Sequence, residues 1–181
     1  MFCSAKKIGE NMRRILSFVF CFVYLLTIPV FSYELISEKK PVRVYADMVG
    51  DLFHAGHVEF LKKARSFGDY LIIGVLADES VEEYKRRPVM SLEERVKVFQ
   101  ACRYVDEVIA APPLRPTKEW FLEHKIDYVI HGDDFCPELL QDQYGSALDL
   151  GIFRSVPYTP GISTTGIIKR VVDRVHAGDF Q

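Results

Sequence analysis

The chain has 181 residues, 49% hydrophobic and 27% charged, with a formal net charge of -2. This composition belongs to one globular domain rather than to a disordered or fibrous chain. It offers no broad basic field, which excludes nucleic acid as a partner class, and no run of five or six like charges, so any ligand must be argued from a site.

Residues 1–40 stand apart. Lys6, Lys7, Arg13 and Arg14 precede the apolar run ILSFVFCFVYLLTIPVF, and Val30 and Ser32 fall at the -3 and -1 positions of a signal-peptide cleavage site. The run covers 15–31 and contains Pro29, somewhat short of the roughly 20 residues that span a bilayer. Lys39, Lys40 and Arg43 blunt the charge asymmetry that would orient it. A cleaved secretory signal and an uncleaved anchor associating with a membrane through residues 15–31 both stand as expectations, and the fold is sought in 41–181.

From residue 42 short apolar runs alternate with amphipathic segments. VRVYA (42–46) predicts a strand, HVEFLKKARSFG (57–68) a helix closed by Gly68, and YLIIGVLA (70–77) a fully buried strand. SLEERVKVFQACRY (91–104) predicts a helix with Ser91 and Glu94 at capping-box spacing. A strand around EVIAA (107–111), a Pro-rich turn, a helix TKEWFLEHK (117–125) and a strand YVIHG (128–132) follow. A loop with a short helix leads to GIFRSVPY (151–158), and STTGIIKRVVDRVH (163–176) is the last helix.

This alternation predicts an α/β fold, a parallel sheet flanked by helices and wound with right-handed crossovers. Ligands of such sheets sit beyond the carboxyl ends of the strands, at helix N-termini. The loops after the five strands then converge on one site.

Within that site, GDLFHAGH puts His54 just before a helix and His57 in its first turn, with Gly56 between them. Free N–H groups and a partial positive charge at the helix start favour an anion there. Spacing alone leaves the pair divided among a helix cap, a metal site and a phosphate site. A catalytic zinc usually wants a third protein ligand, and of the available histidines His124 falls inside a helix and His131 at a strand end. Four cysteines, Cys3, Cys21, Cys102 and Cys136, show neither CxxC pairing nor regular spacing, so no zinc or disulfide framework is indicated. Ser163, Thr164 and Thr165 begin the last helix after Gly161, forming either an ordinary N-cap or a second phosphate cradle. Lys85, in YKRRP, is either a reaching ammonium or a solvated surface charge.

Four blocks, VYADMVGDLFHAGH, YKRRPVMSLEERVKVFQACRYVDEVI, EHKIDYVIHGDDF and GISTTGIIKRV, occur in the order and spacing of the cytidylyltransferases that activate phosphocholine, phosphoethanolamine or glycerol 3-phosphate. The chain resembles that family over residues 42–175. The resemblance implies a Rossmann-like nucleotidyltransferase that joins CTP to a phosphorylated alcohol and releases pyrophosphate without a covalent intermediate. It implies catalytic roles for His54 and His57 at the α-phosphate, and for Lys85 between the substrate phosphate and the α-phosphate. Val49, Gly50, Gly132, Asp133 and Asp134 would lie near the nucleotide. Thr159, Gly161, Ile162, Ser163, Thr164 and Thr165 would hold its β and γ phosphates. Arg103 and Asp106 of RYVDEV either border the nucleotide or form a structural ion pair. Asp51, Lys85 and Phe135 are expected at the acceptor. Mg²⁺ is expected with the triphosphate, without a dedicated protein site, and a homodimer is expected.

The chain departs from the family at three places. YTPGIST stands where the family reads RTEGIST, leaving Tyr158 and Pro160 for Arg and Glu, with Arg154, Lys169 and Arg170 as candidate substitutes for the lost cation. Gly50 replaces an aromatic residue before the aspartate, reshaping the floor of the site. APPL replaces the APW of the phosphocholine branch, and the only tryptophan, Trp120, sits in the next helix. A partial aromatic cage favours a primary ammonium over a quaternary one, so phosphoethanolamine is the first expectation. Phosphocholine, glycerol 3-phosphate, adenylyl transfer and a silent nucleotide-binding module are its alternatives. Because CTP is a cytosolic substrate, the catalytic domain is expected to face the cytosol.

Overall fold

Hydrophobic runs of period two and period 3.6 resolve into five strands and six helices in a computed structural model that describes residues 39–134 and 136–179. The strands are β1 (Arg43–Met48), β2 (Tyr70–Val75), β3 (Glu107–Ala110), β4 (Tyr128–Gly132) and β5 (Phe153–Val156). All pair in parallel in the order β3-β2-β1-β4-β5, as the alternation predicts. The chain reverses its direction of travel across the sheet between β1 and β4, and such a switch point opens a crevice at the carboxyl ends of the strands. The unit Pro41–Gln181 contains the whole sheet.

Alternation along β1 sends Val44 and Ala46 to one face and Tyr45 to the other, all three fully buried. On the first face they pack with Leu61 and Ala64 of α1 (Ala55–Arg65) and Phe99 of α3 (Leu92–Gln100). On the second, Tyr45 and Val129 pack against Phe121 of α4 (Lys118–Glu123) and Tyr144 and Ala147 of α5 (Pro137–Asp149). Each large aliphatic side chain so buried stabilises the fold by about 1.5–3 kcal/mol. Trp120 meets Tyr45 edge-on, with ring centroids 5.0 Å apart, and so belongs to this core.

Two expectations change in detail. The segment after β2, DESVEEYKRRP, which falls among the loops expected after the five strands, begins with a five-residue helix, α2 (Asp78–Glu82), whose Val81 is buried. The short helix expected after β4 is the 13-residue α5, opened by Pro137, which suits the first helical turn. The α3 capping box forms as read: the Ser91 N–H donates to Glu94 Oε2 at 2.8 Å and the Glu94 N–H to Ser91 Oγ at 3.4 Å. That helix ends at Gln100, before 102–104, with Ala101 as its C-cap, and the Leu71 N–H donates to the Asp106 carboxylate at 2.7 Å where the chain enters β3. The last helix, α6 (Thr164–His176), buries no residue and leaves Val171, Val172 and Val175 exposed.

Candidate active site

The start of α1 explains the pattern HxGH. Residue 54 adopts extended backbone as N-cap, and its ring Nδ1 accepts the Gly56 N–H at 3.1 Å. In return His57 Nδ1 accepts the His54 N–H at 3.2 Å, which makes a capping box from two imidazoles. A nitrogen that accepts carries no proton, so in each neutral ring the proton resides on Nε2. The cap thereby fixes both tautomers and leaves two N–H donors for a ligand. The rings stack with centroids 3.9 Å apart, and Phe53 stacks on His57 at 5.6 Å. Burial, then the neighbouring His54, lower the His57 pKa to about 4 against the opposing pull of Asp51, and burial lowers that of His54. Both are neutral donors near pH 7. One arrangement therefore serves as the helix cap and turns both Nε2 atoms outward. Gly56 is required for a reason the sequence did not show: a Cβ there would lie 2.9 Å from His54 Cε1 and 3.3 Å from Ile162 Cγ2.

The start of α6 abuts that of α1. Ser163 caps it by accepting the Gly166 N–H at 3.1 Å, after a turn in which Gly161 takes φ +92°. Thr164 Oγ1 donates to the Asp51 carbonyl at 3.0 Å and lies 3.5 Å from His54 Nε2. Two helix N-termini thus face one cleft of about 450 Å³ above the switch point.

Asp51 is almost fully buried, and its carboxylate accepts the Val89 and Met90 N–H groups and the Arg86 guanidinium at 3.0–3.1 Å. It lines the cleft but is occupied by protein donors, so its contact is with the 86–90 loop rather than with an incoming acceptor. Burial alone would raise its pKa; the Met90 and Val89 N–H groups, with Arg86, hold it below the ordinary value. Lys85, next to Arg86, lines the cleft with its ammonium 5.4 Å from the Tyr84 ring. Beneath, the fully buried Arg95 donates to the carbonyls of Val49 at 2.7 Å, Leu76 at 2.9 Å and Met90 at 3.2 Å, and pairs with Asp78. One guanidinium thus fixes the loops after β1 and β2. Gly50 has φ +69°, and a Cβ on it would meet Phe99 Cε2 at 2.2 Å. The ring of Phe99 thus occupies the space into which a side chain at position 50 would project.

Several lining residues were not singled out from sequence: Asp47, Tyr84, Gln143 and Tyr144. Asp47, the residue before the last of β1, is 3% exposed and accepts the Tyr144 hydroxyl. Burial raises its pKa, against the opposing pull of His131 and the Tyr144 hydrogen bond. A polar residue near the end of a buried strand was the available signal for Asp47. Gln143 and Tyr144 had none, because α5 reads as polar and irregular until its position is known. His131 also lines the cleft, beside Asp47.

Of the expected nucleotide residues, Val49, Gly50, His54, His57, Gly132, Asp134, Thr159, Ile162, Ser163, Thr164 and Thr165 line the cleft. Asp133 stands behind it, its carboxylate accepting the Tyr158 N–H at 2.9 Å, so that it shapes the last loop, as Gly161 does. Arg103 and Asp106 do not join the site. Asp106 binds Leu71 near the amino end of β2 and pairs with Arg65 at 3.5 Å, while Arg103 reaches the Tyr104 hydroxyl at 2.9 Å on the surface. Both lie in the turn that enters β3, at the amino ends of the strands and so at the opposite end of the sheet from the cleft, and they form no ion pair with each other. Phe135 and residues 15–31 lie outside the described residues. The candidate substitute cations are also elsewhere: Arg154 donates to the carbonyls of Gly151 and Phe153, Lys169 pairs with Asp173, and Arg170 is exposed. Instead Lys63 of α1 donates to the Pro157 carbonyl at 2.8 Å and to Thr159 Oγ1 at 3.4 Å, bringing an ammonium to the loop where the motif lacks arginine.

Among the described residues no cluster of three His, Cys, Asp or Glu side chains could hold a metal ion. The cleft offers instead N–H, hydroxyl and ammonium donors, the chemistry that receives phosphate oxygens.

Fold and cleft together define the class, a Rossmann-like nucleotidyltransferase domain. The chain belongs to the cytidylyltransferase-like family, whose model matches residues 50–170. It is 45% identical over 135 residues to the ethanolamine-phosphate cytidylyltransferase of Dictyostelium discoideum, an alignment covering 72% of this chain and 38% of that protein. It is 43% identical over 137 residues to choline-phosphate cytidylyltransferase A of Mus musculus, covering 74% of this chain and 37% of that one. The chain thus spans under two fifths of the length of these relatives. Among solved structures, a lipopolysaccharide core biosynthesis protein of Thermoplasma volcanium matches with a TM-score of 0.55 at 25% identity, over 68% of this chain and all of that one. Pantothenate synthetase of Thermus thermophilus, with a TM-score of 0.50 at 17% identity over 71% of this chain and 61% of that one, shares the fold.

Proposed function

We propose that the chain transfers CMP from CTP to a phosphorylated amino alcohol, phosphoethanolamine in preference, releasing pyrophosphate. The observation that carries this reading is the pair of neutral imidazoles, locked as Nε2–H donors, beside a second helix N-terminus. A phosphate oxygen of the acceptor attacks the α-phosphorus of CTP, and the bond to the β-phosphate bridging oxygen breaks. The pentacoordinate transition state gathers negative charge on the α-phosphate oxygens. His54 and His57 donate hydrogen bonds to these oxygens, and fixed donors of this kind act without reorganisation. Lys85 draws the acceptor phosphate and the α-phosphate together, and the start of α6 holds the leaving phosphates. Mg²⁺ fits this cleft as an ion carried by the nucleotide: it prefers oxygen ligands, and Asp134 is the cleft carboxylate on hand while Asp51 and Asp47 are engaged.

Asp47, flanked by Tyr84 and Tyr144, gives the acceptor end an anionic, aromatic pocket suited to an ammonium. The same tyrosines favour phosphocholine as the second reading. Residues 41–181 would act as the catalytic domain, with 15–31 as signal or anchor and the domain facing the cytosolic nucleotide pool, and two copies would associate as a homodimer. Pyrophosphate release from each NTP, crossed with phosphoethanolamine, phosphocholine and glycerol 3-phosphate, tests the reading. CTP with phosphoethanolamine should be the best pair; nucleotide binding without pyrophosphate release from any pair would refute catalysis.

A further inference from the structure

Gln143 is 4% exposed and lines the cleft beside Asp47 and Tyr144. No hydrogen bond joins its carboxamide to any described residue, whereas the two carboxylates of the cleft floor are engaged: Asp47 by Tyr144, and Asp51 by Arg86, Val89 and Met90. Among the described residues the Tyr45 hydroxyl is the buried side-chain atom without a partner, so the Gln143 amide opens onto the cleft that it lines and is available to a ligand. The neighbouring Asp47 makes the site anionic, and its Oδ1 already accepts from Tyr144. A primary ammonium entering there brings three N–H donors, more than Asp47 alone can receive. The carbonyl of a carboxamide, free to rotate about χ3, supplies a neutral acceptor for one of them.

We propose that Gln143 is a specificity-determining residue that accepts a hydrogen bond from the primary ammonium of the acceptor. A quaternary ammonium has no N–H, so it leaves the buried carbonyl unpaired and also places a methyl group against it. A site built around such a hydrogen bond discriminates strongly against analogues lacking the donor. This assignment rests on the amino-alcohol reading above and adds to it the residue that counts N–H groups.

The test uses the full chain and a series of acceptors: phosphoethanolamine and its mono-, di- and trimethyl derivatives. In the wild type, kcat/KM should fall with successive methyl groups, by about 10²-fold in all. In Gln143→Leu, phosphoethanolamine should lose about tenfold, chiefly in KM, phosphocholine should lose nothing, and the series should flatten. Gln143→Met, of similar volume, gives the same readout should the leucine variant fold poorly. A wild-type series that is already flat, or equal losses for both acceptors in the variants, overturns the assignment while leaving cytidylyl transfer intact. No pyrophosphate release by the wild type with any acceptor overturns both.

Discussion

Arg86 Nη2 lies 3.1 Å from Asp51 Oδ2, and this contact ties the loop carrying Lys85 to the loop that enters α1. The residues are 35 apart in sequence, so the pair joins the two elements from which the proposed donors His54, His57 and Lys85 project. Asp51→Ala should release residues 86–90. The cost is about 1.5–3 kcal/mol, appropriate to hydrogen bonds on a charged group, and acceptor KM should rise more than kcat falls. Because the folded pKa is lowered, the stabilisation is present above the ordinary value of 3.8 and is lost as pH falls below it. An unchanged acceptor KM in a folded variant would show that the loop does not need this tie.

His57→Asn separates the capping role of His57 from its proposed role as a donor to the α-phosphate. An asparagine can still accept the His54 N–H, so the loss of stability should stay within about 1 kcal/mol. Turnover should fall about 10²–10³-fold, as when one donor to a transition-state oxyanion is removed. With its pKa near 4 in the folded protein against 6.5 ordinarily, the unfolded state takes up the His57 proton first. Stability contributed by this group should therefore decline as pH falls from 6.5 to about 4, then level off. Near-wild-type turnover in the variant, measured by pyrophosphate release, would remove His57 from the mechanism.

Gly50 and Phe99 should be coupled. Gly50→Ala places a Cβ 2.2 Å from the Phe99 ring in a backbone with φ +69°, so it should cost roughly 1–3 kcal/mol. Phe99→Val alone opens a cavity and should cost roughly 2–4 kcal/mol. The double variant should lose at least about 0.5 kcal/mol less than the sum of the two, because the ring is what the new Cβ meets. Denaturant unfolding of the four proteins measures this; strict additivity would mean that the ring is not a substitute for a side chain at position 50.

Asp47 should make acceptor binding depend on pH. Burial raises its pKa above 3.8, so over the range where the carboxyl still holds a proton, an ammonium must displace it. Apparent affinity for phosphoethanolamine should therefore rise with pH through that range and then level. Glycerol 3-phosphate carries the phosphate without the ammonium, so the ratio of the two KM values isolates the effect. In the protein without ligand the sign reverses for stability, which falls as pH rises through the folded pKa. A ratio independent of pH, or one preserved in Asp47→Asn, would place the ammonium elsewhere.

The sequence by itself determined the α/β alternation, the strand order's parallel sense, the Ser91–Glu94 box and the convergence of two phosphate-ready helix starts. These are local properties, set by periodicity, capping and turn chemistry, that packing does not reverse. It also placed His54 and His57 at the mouth of the cleft, because a strand end followed by a helix start fixes where such residues project, whereas Lys85 stayed divided between ligand and surface until the structure put it in the cleft lining. Only the tertiary structure decided what Asp51, Arg103 and Asp106 contact. Their roles depend on which partner, 35 residues or more away for Asp51 and for the Asp106 contact with Leu71, reaches them first. An aspartate in a motif loop looks the same in sequence whether it faces a ligand or receives Arg86, and RYVDEV looks the same at either end of the sheet. The occupation by Phe99 of the space open to a side chain at position 50, and the substitution of Lys63 for a cation near 158, are likewise matters of shared volume and shared charge in space. A linear pattern records neither.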